Sequence, residues 1–446
     1  MDEIETPPVE TSLIVLKSRR LQMIASVAFL IFIVSGFFAL TKKNPGEYIV
    51  YTRAANRLLQ GETFYRTDEI SAFPYPPFIV FLGVPFSFLP ETIGRFAWYV
   101  TNFTVLVTII LLLKRIIQPV LLSPLHQRNP HIFLSLFLIG LLSARHLSSP
   151  IENQSHEFFV LLFVVLTLFQ LGKNNSPKSG IWVGFAAASK ATPLLFLPFF
   201  LWQRRFKTAF VMLLVIAGAT LSVDLFFQNP DGELWGMSWY HKFASHAAPG
   251  KTANAAGAWT DWNILNQSLA GTFFRLTVPL PYKPNGNDLF HANIITLSRE
   301  QSRWLTLFFQ LSVGAIVFFL TLSRKKTGTI PPAEKLFLAV GQGAVVVCGM
   351  LLLSPMTSKA HLCLLLLPIS YCVTDFVYRQ RSYFVGAMLT IVFLTGTLAS
   401  KGLVGSYLGN RLLGYGFPTW SIFACLFATG YTLNSRAKTL RIQEFK

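Results

Sequence analysis

Charged residues are scarce in this 446-residue chain, in which only 13% of positions are Asp, Glu, Lys or Arg. Together with 52% hydrophobic residues and a mean hydropathy of +0.49, this excludes an ordinary water-soluble protein and predicts one embedded in a bilayer. Acidic residues are fewer than basic ones: 20 Asp and Glu against 38 Lys and Arg give a formal net charge of +18. Because the basic residues stand in short clusters between apolar runs, they indicate membrane topology, and no nucleic-acid partner is predicted.

Cysteine is also rare. The four cysteines, Cys348, Cys363, Cys372 and Cys425, lie inside apolar runs and lack the spacing of metal or redox sites. They are therefore interpreted as small core residues. No motif requires a metal or a cofactor, although the carboxylates of Glu152, Glu157 and Asp261 leave a metal open. Internal repeats, low-complexity segments and a separate soluble domain are absent, so residues 1–446 are predicted to form one integral membrane domain.

Apolar runs long enough to cross a bilayer dominate the chain. They cover residues 21–41, 95–113, 131–148, 157–172, 208–226, 303–322, 334–353, 361–378, 382–400 and 414–433. Two further stretches are exceptional. Pro77–Pro90 is too short to span and is predicted as a re-entrant or juxtamembrane helix, whereas Ile181–Trp202 has basic residues on both flanks. The latter is predicted to turn back near Lys190 as two half-membrane helices, which gives an all-α polytopic bundle of about 12 transmembrane helices.

The positive-inside bias then orients the chain. It places the N-terminal segment 1–20 and the C-terminal segment 434–446 in the cytoplasm. The predicted location of the protein is the plasma or inner membrane of the cell. The same orientation puts the polar segments on the outer face. These segments are 42–94, 149–156, the large loop 227–302, 354–360 and 401–413.

The first outer loop carries the leading catalytic candidate, Glu47. Apolar residues recur at helical spacing from Tyr48 to Leu59 and predict an amphipathic helix on the membrane surface, with Gly61 as its stop. Glu47 then lies at the helix N-terminus, where a carboxylate also stabilises the helix dipole. A structural role for Glu47 is therefore open on position alone.

Further polar candidates occur in the other outer segments. The short loop Ser148–Glu157 is denser in hydrogen-bonding groups than helix capping requires, although capping alone is the alternative. The large loop combines tryptophans with amides and an acid, a composition typical of sugar-binding surfaces. Three cations, on Lys190, Arg275 and Lys359, suggest that an anion is held at this face. The polar candidates in the two loops are Asn153, Gln154, His156, Asp261, Asn266, Gln267 and Ser268.

Five landmarks taken in order resemble the C-type glycosyltransferases, and specifically the polyprenyl-phosphate-mannose-dependent α-mannosyltransferases. They are Glu47-Tyr48 with Tyr51, Ala54, Ala55, Leu59 and Gly61; Tyr75-Pro76-Pro77 with Pro85 and Pro90; Asn153-Gln154; Gly184 to Pro193; and Asn266-Gln267-Ser268 with Arg275, followed by Ser354-Pro355 with His361. The landmarks extend over nearly the whole chain.

This resemblance implies transfer of a hexose, mannose by analogy, from a polyprenyl-phosphate donor to a glycolipid or glycan acceptor in the membrane, with inversion. It makes Glu47 the base. The predicted donor-binding residues are Tyr75, Lys190, Arg275, Lys359 and His361, and the amides and acids of the outer loops are predicted to bind or support the acceptor. Two departures from the family pattern bear on specificity: Glu47 stands where the family has Asp, and Ser358 and Ala360 replace an aromatic residue and a histidine.

Two other classes of function fit parts of the pattern. A lipid-linked polysaccharide polymerase or ligase also has a large outer loop with arginines, but it consumes a pyrophosphate-linked oligosaccharide. A lipid or sugar transporter predicts repeat symmetry and polar groups at several depths. The concentration of polar groups at one face favours an enzyme.

Overall fold

The computed structural model describes residues 31, 33–39, 41, 46–69, 71–121, 132–259, 261–279, 292–322, 331–379 and 381–444. These residues form helices and loops without any strand, which confirms the predicted all-α fold. The predicted N-terminal segment 1–20 lies outside the described residues. Of the predicted first span, residues 31, 33–39 and 41 are described and helical.

Sixteen helices of the described ranges are numbered here in chain order. They are α1 Tyr48–Leu59, α2 Val80–Ser87, α3 Glu91–Leu121, α4 Ile132–Glu152, α5 Glu157–Gly172, α6 Ser176–Ser189, α7 Phe196–Trp202, α8 Phe206–Phe226, α9 Trp235–Lys242, α10 Leu269–Thr277, α11 Arg299–Thr321, α12 Pro332–Leu353, α13 Leu366–Tyr378, α14 Tyr383–Val392, α15 Lys401–Gly414 and α16 Phe417–Glu444. Short 3₁₀ turns cover Pro77–Ile79, Thr192–Leu195, Ala244–His246 and Ala360–Leu365, and Phe393–Leu398 is a π-helix.

The protein is a multi-pass membrane protein. Six helices of the described residues are long and apolar enough to cross a bilayer, and a seventh span results if the bent pair Tyr383–Leu398 and Lys401–Gly414 is counted as one. Three shorter apolar helices, Pro77–Ser87, Glu157–Gly172 and Thr192–Trp202, fall below the usual length of a span. The predicted number of about 12 spans is thus not confirmed, since it included half-membrane helices and a first span of which only residues 31, 33–39 and 41 are described.

Helices at the centre of the bundle differ from those at its edge in how much of their surface is covered. Protein buries 89% of the apolar window of α12 and 94% of the window in Ala360–Tyr378, but only 22% in α8 and in α11. Because both kinds of helix are similarly apolar, the exposed apolar faces of α8 and α11 require lipid as their solvent.

The chain breaks where the charges predicted, and a glycine lets the helix before the break pack closely on α8. In α6, a Cβ atom on Gly184 would lie 2.6 Å from Cβ of Val215, so only glycine allows α6 and α8 to pack this closely. The helix ends at Ser189, and Lys190 takes an extended conformation with φ −158° and ψ 135°. The predicted break between two short helices is therefore present, with Lys190 at its turn.

The predicted surface helix is α1, and its buried face packs on the short helix α2. A Cβ atom on Gly83 would lie 2.5 Å from the carbonyl oxygen of Tyr51, so the two helices touch backbone to backbone. The 3₁₀ turn Pro77–Ile79 leads into α2, because proline suits the first turn of a helix. This packing fixes α1 and, with it, the residue that precedes it, Glu47.

Candidate active site

Glu47 is the residue before the first turn of α1, and its backbone is anchored to a distant loop. Its N–H donates to the carbonyl oxygen of Asn153 over 2.8 Å. Gly46 has φ +58°, and a Cβ atom there would lie 2.2 Å from the same carbonyl oxygen. Since only glycine tolerates both conditions, Gly46 allows the first loop to lie directly against Asn153.

Two tyrosine hydroxyls orient the Glu47 carboxylate. The hydroxyls of Tyr51 and Tyr75 both donate to its Oε2, with Tyr75 at 2.7 Å. The side chain makes no capping hydrogen bond to the helix backbone, so helix capping does not account for its position. Within the described residues the other carboxylate oxygen, Oε1, has no hydrogen-bond partner. It is not one of the fully buried polar atoms. This oxygen therefore keeps some exposure and is free to accept a hydrogen bond.

The histidine predicted in the short loop joins the same network. His156 Nδ1 lies 2.7 Å from the Tyr51 hydroxyl oxygen. Because the single hydroxyl hydrogen of Tyr51 goes to Glu47, Nδ1 must be the donor to Tyr51. Burial lowers the pKa of His156 to about 4, so the ring is neutral at pH 7. Burial also raises the pKa of Glu47 above 4.5, while the two tyrosine hydrogen bonds oppose that rise.

Lys190 is held by a buried carboxylate, Glu157, at the start of α5. The ammonium donates to Glu157 Oε1, and His361 Nε2 lies 3.3 Å from the same oxygen. The backbone N–H of Ser358 donates to His361 Nδ1 over 3.1 Å, which leaves the ring proton on Nε2, facing Glu157. Glu157 is 1% exposed, and its Oε2 has no partner in the described residues. The carboxylate thus depends on Lys190 and His361.

A cavity of about 360 Å³, called the main cavity here, is lined by both Lys190 and His361. Its polar lining comes chiefly from Tyr75, Lys190 and His361, and most of the remaining wall is apolar, including Leu195, Phe243, Met350 and Leu353. Tyr75 also donates a hydrogen bond to Glu47, so one side chain connects the main cavity to the candidate base. Apolar walls with a few convergent polar groups are typical of ligand sites.

Several predicted polar residues instead hold backbone segments in place. Asn266, Gln267 and Ser268 are fully buried. The N–H of Gln267 donates to Thr357 O over 2.7 Å, and Ser268 caps α10. Arg275 donates to the carbonyls of Asn263, Asn266 and Gly414 at 2.8–3.2 Å. This group braces the loop 354–361, and the structure does not bring it to Glu47.

Gln154 has a comparable bracing role beside Glu47. Its φ is +50°, its carbonyl accepts from Trp98 Nε1 over 2.8 Å, and its Oε1 lies 3.4 Å from Arg95 Nε. Asn153, next to it, contributes its backbone carbonyl to Glu47. Its side-chain nitrogen donates to Ser149 O over 2.9 Å. The amide pair thus shapes the turn on which Glu47 rests.

Two predicted residues lie in other cavities. Asp261 accepts a hydrogen bond from the Thr252 hydroxyl and lines a second, more polar cavity of about 350 Å³. Lys359 lines a small cavity with Arg145, away from Tyr75 and Lys190. Neither contacts Glu47. Among the described residues, no group of three or more His, Cys, Asp or Glu side chains is arranged to hold a metal ion.

Two residues of the site were not singled out by their chemistry in the sequence. Glu157 begins an apolar helix, and only its membership of a loop dense in polar groups indicated more than capping. Tyr51 matches the apolar spacing of α1, so its hydroxyl had no separate signal. The contacts of Glu157 with Lys190 and of Tyr51 with His156 join segments far apart in the chain, and such pairs leave no local pattern.

The comparisons with known proteins extend over most of the chain. A solved structure with a similar arrangement is ArnT from Cupriavidus metallidurans bound to undecaprenyl phosphate, with a TM-score of 0.40 and 12% identity, over 92% of this chain and 78% of that one. No curated protein matches the sequence. The model of glycosyltransferase family 87 matches residues 73–355, more than half of the chain, and the protein therefore belongs to that family.

Proposed function

We propose that this membrane glycosyltransferase transfers a hexose, mannose by its sequence resemblance, from a polyprenyl-phosphate donor to a hydroxyl of a lipid- or envelope-linked acceptor. The reaction takes place at the outer face of the plasma or inner membrane, with both termini in the cytoplasm. The observation that carries the proposal is the position of Glu47, whose bound Oε2 and open Oε1 lie one side chain away from the main cavity.

Glu47 acts as the general base. A base must reach the proton it removes, and Oε1 is the carboxylate oxygen without a partner in the described residues. The tyrosine pair keeps Oε2 in place, so that the open oxygen points in one direction. The Tyr51 and Tyr75 hydroxyls also stabilise the ionised carboxylate, which burial would otherwise protonate.

The main cavity suits a donor with an apolar tail and an anionic head. Its apolar wall accepts part of the prenyl chain, and Lys190 lies where the phosphate would enter. Lys190 uses one N–H toward Glu157 and has two others for phosphate oxygens. His361 has both ring nitrogens engaged, by Ser358 and Glu157, so it positions the carboxylate rather than the phosphate.

The chemical step is a single displacement at the anomeric carbon. The acceptor oxygen forms the new bond on the face opposite the phosphate, and the bond from the anomeric carbon to the phosphate oxygen breaks. The acceptor proton goes to Glu47 Oε1, while the leaving polyprenyl phosphate gains negative charge near Lys190. Because phosphate leaves readily, the step requires no general acid. This geometry gives inversion, as the sequence resemblance implies.

A donor panel tests the proposal. Purified protein is supplied with a membrane-lipid extract and, in turn, radiolabelled polyprenyl-phosphate mannose, polyprenyl-phosphate glucose and a polyprenyl-pyrophosphate oligosaccharide. We expect labelled glycolipid from a monophosphate donor, with mannose preferred. Turnover of the pyrophosphate donor alone would assign the protein to the polymerase or ligase class instead. Movement of intact labelled donor across vesicle membranes without product would assign it to the transporters.

A further inference from the structure

A small cavity lies where the bent helix pair α14–α15 meets the loop 354–361. It is lined by Arg145 and His146 of α4, by Lys359, and by the break in the bent pair, including Gly396 and Ser400. Lys359 and His361 are only two residues apart, yet His361 faces the main cavity and Lys359 faces this one. The two cavities therefore flank opposite sides of one loop.

Positive charges exceed negative charges around this small cavity. Arg145 lines the small cavity with Lys359, and the charges of Arg145 and Lys401 both act on Lys359, where Glu152 opposes them. Glu152 is bound by Arg145 at 2.8 Å. No hydrogen bond or ion pair with a described residue reaches the side-chain ammonium of Lys359. Burial and the two neighbouring cations lower the pKa of Lys359 to about 8, which still leaves it charged at pH 7.

A buried histidine adds an unused polar atom. His146 is 2% exposed, and its Nε2 has no hydrogen-bond partner in the described residues. This nitrogen lies against Gly396, where an added Cβ would come within 2.7 Å of it. The cavity volume of about 20 Å³ is sufficient for one oxygen atom of a ligand or one water molecule.

The backbone around the cavity is also irregular. Gly396 belongs to the π-helix Phe393–Leu398, and the chain then bends by 92° before α15. Single π-helical turns occur frequently at functional sites. In a membrane protein, a broken helix is tolerated where it is buried in protein or lines a polar cavity. The π-helix and the cavity-lining break are therefore both consistent with a binding site here.

We propose that Arg145, His146, Lys359 and Lys401, here called the cationic cluster, bind a phosphate group that is separate from the donor phosphate. Three cations against one carboxylate leave two positive charges, which match the charge of a phosphate monoester at neutral pH. One phosphate oxygen enters the small cavity beside His146 Nε2, and the others lie among Lys359, Arg145 and Lys401. The phosphate comes either from a lipid headgroup or from free phosphate, which share this chemistry.

Native mass spectrometry of the full-length protein tests the site. The protein is purified in detergent micelles doped with dioleoyl phosphatidic acid or, separately, with dioleoylglycerol, which has the same chains and no phosphate. We expect wild-type protein to retain phosphatidic acid preferentially. The Lys359→Gln and Lys401→Gln variants should each retain roughly tenfold less, the effect of losing about one strong charge-assisted contact.

Lys251→Gln is the matched control, because Lys251 is an exposed lysine outside the cationic cluster. Equal retention of phosphatidic acid by wild type, Lys359→Gln and Lys401→Gln would overturn the proposal, as would an equal loss in Lys251→Gln. Thermal unfolding curves establish that each variant is folded. Titration with inorganic phosphate identifies the source: displacement of the lipid at comparable concentrations indicates free phosphate, and retention indicates the lipid headgroup.

Discussion

The hydroxyl of Tyr75 donates to Oε2 of Glu47 over 2.7 Å, and the same tyrosine lines the main cavity. A carboxylate at the start of α1 is thereby connected to a cavity built largely by other helices. Because Tyr51 binds the same oxygen from within α1, the carboxylate is held from two directions. The open Oε1 then has a defined orientation, which is what a general base requires.

Replacing Glu47 by Gln should abolish most sugar transfer. The amide has nearly the same shape but cannot accept a proton, so we expect kcat to fall roughly 100- to 10,000-fold. Donor affinity should stay close to that of wild type. Initial rates with labelled donor, together with donor titrations, measure both quantities.

Two variants accompany that experiment. Glu62→Gln is the control, since Glu62 is an exposed acid paired with Arg66 and should retain wild-type activity. Glu47→Asp keeps the carboxylate but shortens it by one methylene, so it should retain part of the activity. Near-normal turnover by Glu47→Gln would rule out Glu47 as the base.

The rate of transfer should depend on pH through Glu47. Burial raises its pKa above 4.5, and the base works only when ionised, so kcat should be full above the raised pKa and fall as pH drops through it. Tyr75→Phe removes a hydrogen bond that lowers this pKa. The acidic limb of the pH–rate profile should therefore move to higher pH in that variant.

Tyr48→Phe is the matched control for the pH profile. Tyr48 adjoins Glu47 in sequence, but its hydroxyl is directed at the carbonyl of Phe86, 3.4 Å away. Its removal should leave the acidic limb where it is in wild type. An unmoved limb in Tyr75→Phe would contradict the assigned role of Glu47.

Much of the helical framework could be predicted because hydropathy and charge act locally along the chain. The break at Lys190 was predicted from the basic residues on both sides of it, since a single crossing would place one cluster on the wrong side. The helix Tyr48–Leu59 followed from its apolar period and from Gly61. The number of spans was not predictable to the same degree, because length alone does not separate a tilted span from a half-membrane helix.

The sequence indicated candidate residues for the site but not the contacts that they make. The sequence predicts that Lys190 binds a donor anion, whereas in the structure a buried carboxylate from α5 binds it. Arg275 has its donors on backbone carbonyls, and Lys359 lies in another cavity. These partners come from segments far away in the sequence, so side-chain type indicated a charge without indicating what that charge contacts. Glu157 was missed for the same reason.

A double-mutant cycle should separate the structural role of Lys190 from its role in binding. Glu157→Gln leaves Lys190 as a buried charge without its counter-ion, and should destabilise the protein by about 3–5 kcal/mol. Lys190→Met should destabilise it similarly, because Glu157 then loses its ammonium. The double variant should lose much less than the sum of the two, since neither charge remains.

In the same variants, donor affinity should rank differently from stability. If Lys190 contacts the donor phosphate, Lys190→Met and the double variant both bind donor weakly, even though the double variant regains stability. Glu62→Gln serves as the exposed-pair control for unfolding. Wild-type donor affinity in the double variant would show that the Lys190–Glu157 pair only supports the fold.

The contact between the first loop and Asn153 should be sensitive to one methyl group. In Gly46→Ala, the new Cβ would lie 2.2 Å from the Asn153 carbonyl oxygen, at a φ of +58° that alanine disfavours. The loop must then move away, and Glu47, whose N–H binds that carbonyl, moves with it. We expect kcat to fall at least tenfold, since small displacements of a catalytic group are costly.

Gly61→Ala is a matched control for backbone strain. Gly61 has φ +69°, but an added Cβ there would meet no atom within 4 Å. It should therefore lose about 1–2 kcal/mol of stability from the backbone conformation alone and keep its turnover. Gly46→Ala carries the same strain plus the clash with Asn153. If the two variants show equal turnover in the donor assay, the position of Glu47 does not depend on the Asn153 contact.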